Sequence, residues 1–110
     1  MTENSRDILG RIWRAAAKRI LFLPHALRQM NAPERMISTR EVRTVVFHSM
    51  VIEDYPEDAR GHSCLMLGWG DGGRPVHVVC APKPDYLAII TAYLPSGEQW
   101  ELDWRMRREK

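Results

Sequence analysis

The residues of this sequence that suit proton transfer and phosphate binding are histidines, arginines and a tyrosine, and they are dispersed along the chain. Metal-free RNA cleavage needs a base for the 2′-hydroxyl, an acid for the 5′-oxygen and cations for the charge that develops on phosphorus. Imidazole and phenol groups perform such proton transfers, and guanidinium groups bind phosphate through paired hydrogen bonds. The candidate set comprises His25, Arg28, Arg35, His77, Tyr93, Arg105, Arg107 and Arg108.

Two members of this set also have ordinary structural interpretations. His77 interrupts an otherwise apolar run between Val76 and Val79, where a histidine is commonly a half-buried residue with hydrogen-bond partners. Tyr93 ends a second apolar run, where a tyrosine commonly packs its ring and keeps its hydroxyl hydrated. The sequence leaves both the catalytic and the structural interpretation open.

Signatures of bound cofactors and metals are absent from the sequence. It contains no glycine-rich phosphate loop ending in Lys-Ser or Lys-Thr, no Cys-x-x-Cys and no His-x-x-x-His pair. The glycine-rich stretch 68–73 joins two apolar runs and predicts a hairpin turn. We therefore expect no metal and no cofactor, and we interpret Cys64 and Cys80 as buried thiols.

The composition is that of one globular domain, with 110 residues, 45% hydrophobic and 27% charged. No apolar run reaches the roughly 18 residues of a membrane span, and no signal peptide is recognisable, so we expect a cytoplasmic protein without a membrane partner. Residues 1–40 hold eight Lys and Arg against three acidic residues, whereas residues 41–110 hold eight against eleven. The basic half either faces a polyanion or presents a solvated helix surface.

Apolar periodicity predicts two to three helices before residue 50. The first runs from an N-cap at Asn4 to about Arg19 and is amphipathic and basic, so it either docks on the core or binds an acidic partner. A short extended piece at 20–23 and a second helix from Pro24 to about Asn31 follow. Ser38 and Glu41 have the spacing of a capping box, which predicts the start of a third helix.

Alternating apolar runs between residues 50 and 93 predict a four-stranded, mainly antiparallel sheet. A turn at 70–74 places Cys64 opposite Cys80 and Leu67 opposite His77. Period two then assigns one face to the helix-covered core: Cys64, Met66, Val76, Val78, Cys80, Leu87 and Ile89. The other face carries His77 and smaller residues, and we expect it to form the floor of a cleft.

Several segments together resemble the bacterial domain-of-unknown-function family DUF4258. They are His25-Ala-Leu, Arg35-Met-Ile-Ser, Val51-Ile-Glu-Asp-Tyr-Pro, Cys64-Leu-Met-Leu-Gly, Arg74-Pro-Val-His-Val-Val and Ile90-Thr-Ala-Tyr. The resemblance extends from about residue 20 to residue 108. That family is similar to the RelE/ParE-like toxins, small α+β domains with helices against an antiparallel sheet. One departure is Gln29, which stands where the family usually has an arginine.

This resemblance implies an N-terminal amphipathic extension at 1–19 and a single RelE-like domain at 20–110. It implies a toxin-like, metal-independent endoribonuclease of a toxin–antitoxin module, with RNA as substrate and a small antitoxin protein as partner. The implied catalytic residues are His25, Arg35, His77 and Tyr93, and the implied phosphate binders are Arg28, Arg105, Arg107 and Arg108. The alternatives are a non-catalytic RNA-binding or protein-binding domain of the same fold, and a dimerising module that uses Trp100 and Trp104.

Overall fold

The computed structural model describes residues 5–109, with side chains from residue 8 onward, so the predicted N-cap at Asn4 lies outside the described residues. The described chain is an α+β domain with three α-helices and five β-strands. In chain order they are α1 (Ser5–Lys18), β1 (Ile20–Phe22), α2 (Pro24–Met30), α3 (Thr39–His48), β2 (Met50–Tyr55), β3 (Ser63–Trp69), β4 (Pro75–Pro82) and β5 (Leu87–Tyr93). A 3-10 turn at Asp71–Gly73 joins β3 to β4.

Local signals determine where α2 and α3 begin. Pro24 occupies the first turn of α2, where its missing N–H group has no helical partner to lose. At α3 the predicted capping box is confirmed: the Ser38 hydroxyl accepts from the Glu41 N–H at 3.0 Å, and the Glu41 carboxylate accepts from the Ser38 N–H at 3.1 Å. Within residues 5–109, no helix has the length and apolar content needed to cross a bilayer.

The strands form one sheet in the order β1-β5-β4-β3-β2. The pairs β2–β3, β3–β4 and β4–β5 are antiparallel. In the central hairpin Cys64 lies opposite Cys80 and Leu67 lies opposite His77, which confirms the predicted register. A tight turn imposes this register, because the strands on either side of it pair from the turn outward.

The predicted number of four strands is wrong. The piece expected to be merely extended after α1 is the edge strand β1, and it pairs in parallel with β5, with Ile20 opposite Leu87. Hairpin signals in a sequence reveal strands that pair with their chain neighbours. They cannot reveal a three-residue strand whose partner lies near the other end of the chain.

The three helices cover one face of the sheet and enclose the main core. All the sheet residues predicted for that face belong to a single buried cluster: Cys64, Met66, Val76, Val78, Cys80, Leu87 and Ile89. Ile8 and Ile12 bring α1 into the same cluster. The two cysteines are free, buried thiols with their Sγ atoms 4.0 Å apart, as predicted.

The other face of the sheet is not the open cleft that we expected. The C-terminal segment, residues 95–109, lies over it, and Trp100 is 1% exposed. The ring of Trp100 meets the His77 ring edge-on, with centroids 4.4 Å apart. A backbone bridge between Trp100 and Arg107 folds the segment back on itself. The segment therefore buries an indole against the apolar side chains of this face and excludes water from His77.

Candidate functional site

His77 is the buried centre of a polar cluster beneath the C-terminal segment. The residue has 0% exposure. Its Nε2 atom lies 2.8 Å from the carbonyl oxygen of Trp104, and its Nδ1 atom lies 3.2 Å from the hydroxyl of Tyr93. A carbonyl oxygen only accepts, so Nε2 carries a proton. Because burial lowers the pKa of His77, Nδ1 is unprotonated and accepts from the Tyr93 hydroxyl. The ring is a neutral imidazole with a partner on each nitrogen.

The surroundings of His77 favour this neutral form. Burial lowers the pKa of His77 below its ordinary value. The hydrogen bond to Trp104 and the charge of Glu53 act in the opposite direction, whereas the charge of Arg107 adds to the lowering. Burial also raises the pKa of Tyr93. In this conformation neither group is placed to exchange a proton with a bound substrate.

Arg107 and two residues of β2 complete this cluster. Arg107 donates from Nε to Oε2 of Glu53 at 2.9 Å and from Nη2 to Oε1 at 3.0 Å, and its guanidinium lies 4.7 Å from the centroid of the Trp100 ring. The Tyr55 hydroxyl also donates to Glu53. Burial and this hydrogen bond raise the pKa of Tyr55 to about 12. Arg107, which the sequence indicated as a phosphate binder, is therefore paired with the carboxylate of Glu53.

The four predicted catalytic residues do not meet at one place. His25 is exposed on α2, and Arg35 lies in the loop between α2 and α3. Both belong to the helical layer, whereas His77 and Tyr93 lie on the opposite face of the sheet beneath the C-terminal segment. The structure brings His77 and Tyr93 together and places His25 and Arg35 elsewhere.

The other predicted phosphate binders also lie on separate surfaces. Arg28 is exposed in the last turn of α2. Arg108 donates to the carbonyl oxygen of Gly97 at 2.6 Å. Arg105 lines a separate depression of about 450 Å³ beside β2, together with Val51, Ile52, Asp103 and Met106. These arginines therefore do not form a common phosphate site in the described conformation.

A groove between α1 and the β4–β5 turn gathers cations from two distant parts of the chain. We call it the basic groove; its volume is about 470 Å³, and it is lined by Arg11, Arg14, Ala15, Lys18, Pro82, Lys83 and Pro84. Arg11, Arg14 and Lys18 are spaced by three and four residues, so they share one face of α1. None of the lining residues is acidic.

Backbone carbonyl groups hold the two lysines of the basic groove. Lys18 Nζ donates to the carbonyl oxygen of Pro84 at 2.8 Å, and Lys83 Nζ donates to that of Arg60. Both acceptors are uncharged, so these contacts position the ammonium groups without neutralising them. The surface therefore keeps the positive potential that attracts an anion.

Sequence reasoning found only part of these sites. The basic character of α1 and the uneven charge distribution indicated a basic surface. No signal in the sequence indicated that Lys83, 65 positions after Lys18, belongs to it. Glu53 and Tyr55 also went unrecognised, because they lie in a strand selected only for its apolar pattern. Among the described residues, no group of three or more His, Cys, Asp or Glu is arranged to hold a metal ion.

The fold and these surfaces define a compact α+β domain with a covered sheet face and a basic groove. The chain matches the family described as Domain of unknown function (DUF4258) over residues 22–94, and it belongs to that family. All of α1 and the C-terminal segment lie outside the matched range. No curated protein and no solved structure matches the chain.

Proposed function

We propose that this protein is an RNA-binding domain that holds the sugar-phosphate backbone in the basic groove and does not cleave it. The observation that carries this proposal is the convergence of Arg11, Arg14, Lys18 and Lys83 on one concave surface without an acidic residue. Neutralising phosphates with lysine and arginine releases counterions, which is the dominant source of sequence-independent affinity for nucleic acids.

The dimensions of the groove suit a short stretch of backbone. An α-helix rises about 1.5 Å per residue, so Arg11 and Lys18 are roughly 10 Å apart along α1. That length accommodates about two or three successive phosphates of a single strand. The lining holds no aromatic side chain for base stacking. The groove therefore favours backbone contacts and little sequence preference.

The state of His77 supports binding without cleavage. A general base must reach the proton that it removes, and His77 is fully buried with a partner on each nitrogen. The basic groove is built on α1 and the β4–β5 turn, whereas His77 lies beneath the C-terminal segment. Binding and the predicted acid–base pair are thus on different parts of the molecule.

A salt titration of RNA binding tests this function. Fluorescence anisotropy with a labelled single-stranded RNA should give a log–log slope of about −2, as expected when about three phosphates are neutralised at roughly 0.7 each. Arg14→Glu should weaken binding strongly and reduce the slope. The matched control is Arg40→Glu, because that side chain is 83% exposed on α3, away from the groove. Equal losses in the two variants, or no binding by the wild type, would contradict the proposal.

The second candidate function is a toxin-like, metal-independent endoribonuclease with a RelE-like fold, acting in the cytoplasm and neutralised by a small antitoxin protein. The specific observation that favours it is the hydrogen-bonded pair of His77 and Tyr93 beside Glu53 and Arg107. An acid–base pair next to an arginine has the components of phosphodiester cleavage. This function requires the C-terminal segment to leave the sheet face.

Product analysis separates the two functions. An endoribonuclease converts a labelled RNA into shorter products, and Tyr93→Phe removes the hydroxyl while keeping the packed ring. RNA that stays intact with wild-type protein at concentrations that saturate binding supports the RNA-binding function. Cleavage by the wild type that is lost in Tyr93→Phe supports the ribonuclease instead.

A further inference from the structure

The loop segment 60–62, which lies just before β3, contacts two of the four cations of the basic groove. The carbonyl oxygen of Arg60 accepts from Lys83 Nζ, and Nδ1 of His62 lies 2.9 Å from Nη1 of Arg11. These two cations come from opposite sides of the groove, Lys83 from the β4–β5 turn and Arg11 from α1. The segment itself contributes no residue to the groove lining.

His62 is held in place from its other side by Asp54 of β2. Nε2 of His62 lies 2.5 Å from Oδ1 of Asp54, and the two side chains are only 17% and 20% exposed. A guanidinium group only donates and an ionised carboxylate only accepts. His62 therefore accepts from Arg11 at Nδ1 and donates to Asp54 from Nε2, which orders Asp54, His62 and Arg11 in one directed chain of hydrogen bonds.

The backbone between the two contacts requires glycine. Gly61 has φ +107, a conformation that side-chain-bearing residues rarely adopt. A Cβ atom at this position would lie 2.6 Å from Lys83 Nζ. The positive φ favours glycine at position 61, and a side chain there would push the Lys83 ammonium group away from its present position.

We infer that Asp54, His62 and the 60–62 backbone are positioning elements of the basic groove, which hold Arg11 and Lys83 in place on its two sides. This inference rests on the proposed RNA-binding function and adds a set of residues that tune it without touching RNA. Affinity for the RNA backbone is then set partly by a loop outside the groove. His62 acts through Arg11, and Arg60 acts through Lys83.

A double-mutant cycle tests the inference with the labelled single-stranded RNA. If His62 acts through Arg11, then His62→Ala and Arg11→Ala should each weaken binding several-fold, and the double variant should bind no more weakly than Arg11→Ala alone. Both single variants should also reduce the salt slope by the same amount. His48→Ala, which removes an exposed histidine from α3, is the matched control and should bind as the wild type does.

Conservative variants separate positioning from a loss of folding. His62→Gln keeps an acceptor oxygen and a donor nitrogen on one side chain, so it should retain most of the affinity that His62→Ala loses. Circular dichroism verifies that each compared variant is folded. Additive losses in the cycle, with the wild type binding normally, overturn the inference and leave the RNA-binding function intact. A wild type that does not bind overturns both.

Discussion

Arg74 binds the buried carboxylate of Glu41 through two hydrogen bonds, from Nε to Oε2 at 3.0 Å and from Nη2 to Oε1 at 2.8 Å. Glu41 is 2% exposed, and its Oε2 also accepts from the N–H of Asp71 at 2.8 Å. Arg74 further donates to the carbonyl oxygens of Arg35 and Met36. This one ion pair connects the start of α3, the loop after α2 and the turn before β4.

Replacing Arg74 by methionine should destabilise the protein strongly, because it leaves the Glu41 carboxylate buried without its cation. Breaking one side of a buried pair costs about 3–5 kcal/mol. The Arg74 side chain is 31% exposed, so water compensates in part, and we expect a loss of about 3 kcal/mol in the free energy of unfolding. Urea unfolding measures it. Arg40→Met, at an 83% exposed side chain, should change stability by less than about 0.5 kcal/mol.

Gly70 leaves no room for a methyl group, so alanine at this position should be destabilising. A Cβ atom there would lie 2.1 Å from Oε2 of Glu41 and 3.0 Å from Val76. Gly70→Ala therefore displaces the carboxylate from Arg74, and we expect a loss of at least about 2 kcal/mol. The control is Gly97→Ala, whose Cβ has its nearest neighbour 4.0 Å away. Similar melting temperatures for the two variants would contradict the described position of the carboxylate.

The buried, neutral His77 should make stability depend on pH in a defined window. Burial lowers its pKa below the ordinary 6.5, so as the pH falls below that value the unfolded chain binds a proton that the folded protein does not. The contribution of His77 is therefore complete above the ordinary pKa and declines as the pH falls toward the folded pKa.

The free energy of unfolding, measured between about pH 7.5 and about pH 5, should accordingly fall more steeply for the wild type than for His77→Gln. His25→Gln, at an exposed histidine, is the control and should retain the wild-type slope. Identical slopes for the wild type and His77→Gln would argue against a buried neutral ring.

Substituting Ile12 tests whether residues 1–19 form a separable extension. Its side chain is 0% exposed within the main core, and the neighbouring Trp13 donates from its indole N–H to the carbonyl oxygen of Val46 at 2.9 Å. We expect Ile12→Ala to lower the free energy of unfolding by about 2–5 kcal/mol in one cooperative transition. Ala17→Ser, on the exposed side of α1, should have little effect. A separate early transition for α1 alone would instead identify an extension.

Local signals made part of this fold predictable from sequence. The Ser38–Glu41 spacing located the start of α3, because a capping box acts within four residues. The turn at 70–74 fixed Cys64 opposite Cys80 for the same reason. The parallel edge β1 and the further contact of Glu41 with Arg74 were not predictable, since their partners lie far away in the chain and carry no local signature.

The candidate sites show the same division between local and distant contacts. The alternation of side chains along a strand correctly placed His77 on the face away from the helices, but it could not predict what covers that face. The segment that covers it has no regular secondary structure, and Trp104 adopts a left-handed conformation with φ 62. No pattern in the sequence indicates this conformation. The helical spacing of Arg11 and Lys18 was visible, whereas their meeting with Lys83 depends on the complete tertiary structure.

The pairing of β1 with β5 has a consequence for the order in which this protein assembles. Sixty-seven positions separate Ile20 from Leu87, and closing so long a loop has an entropic cost, so we expect this pairing to form late in folding. As a three-residue edge strand, β1 should also fray and exchange its amide hydrogens before the central strands do. The basic groove lies between α1, which leads into β1, and the β4–β5 turn, which leads into β5, so a polyanion bound across it would hold together the two segments that precede these paired strands.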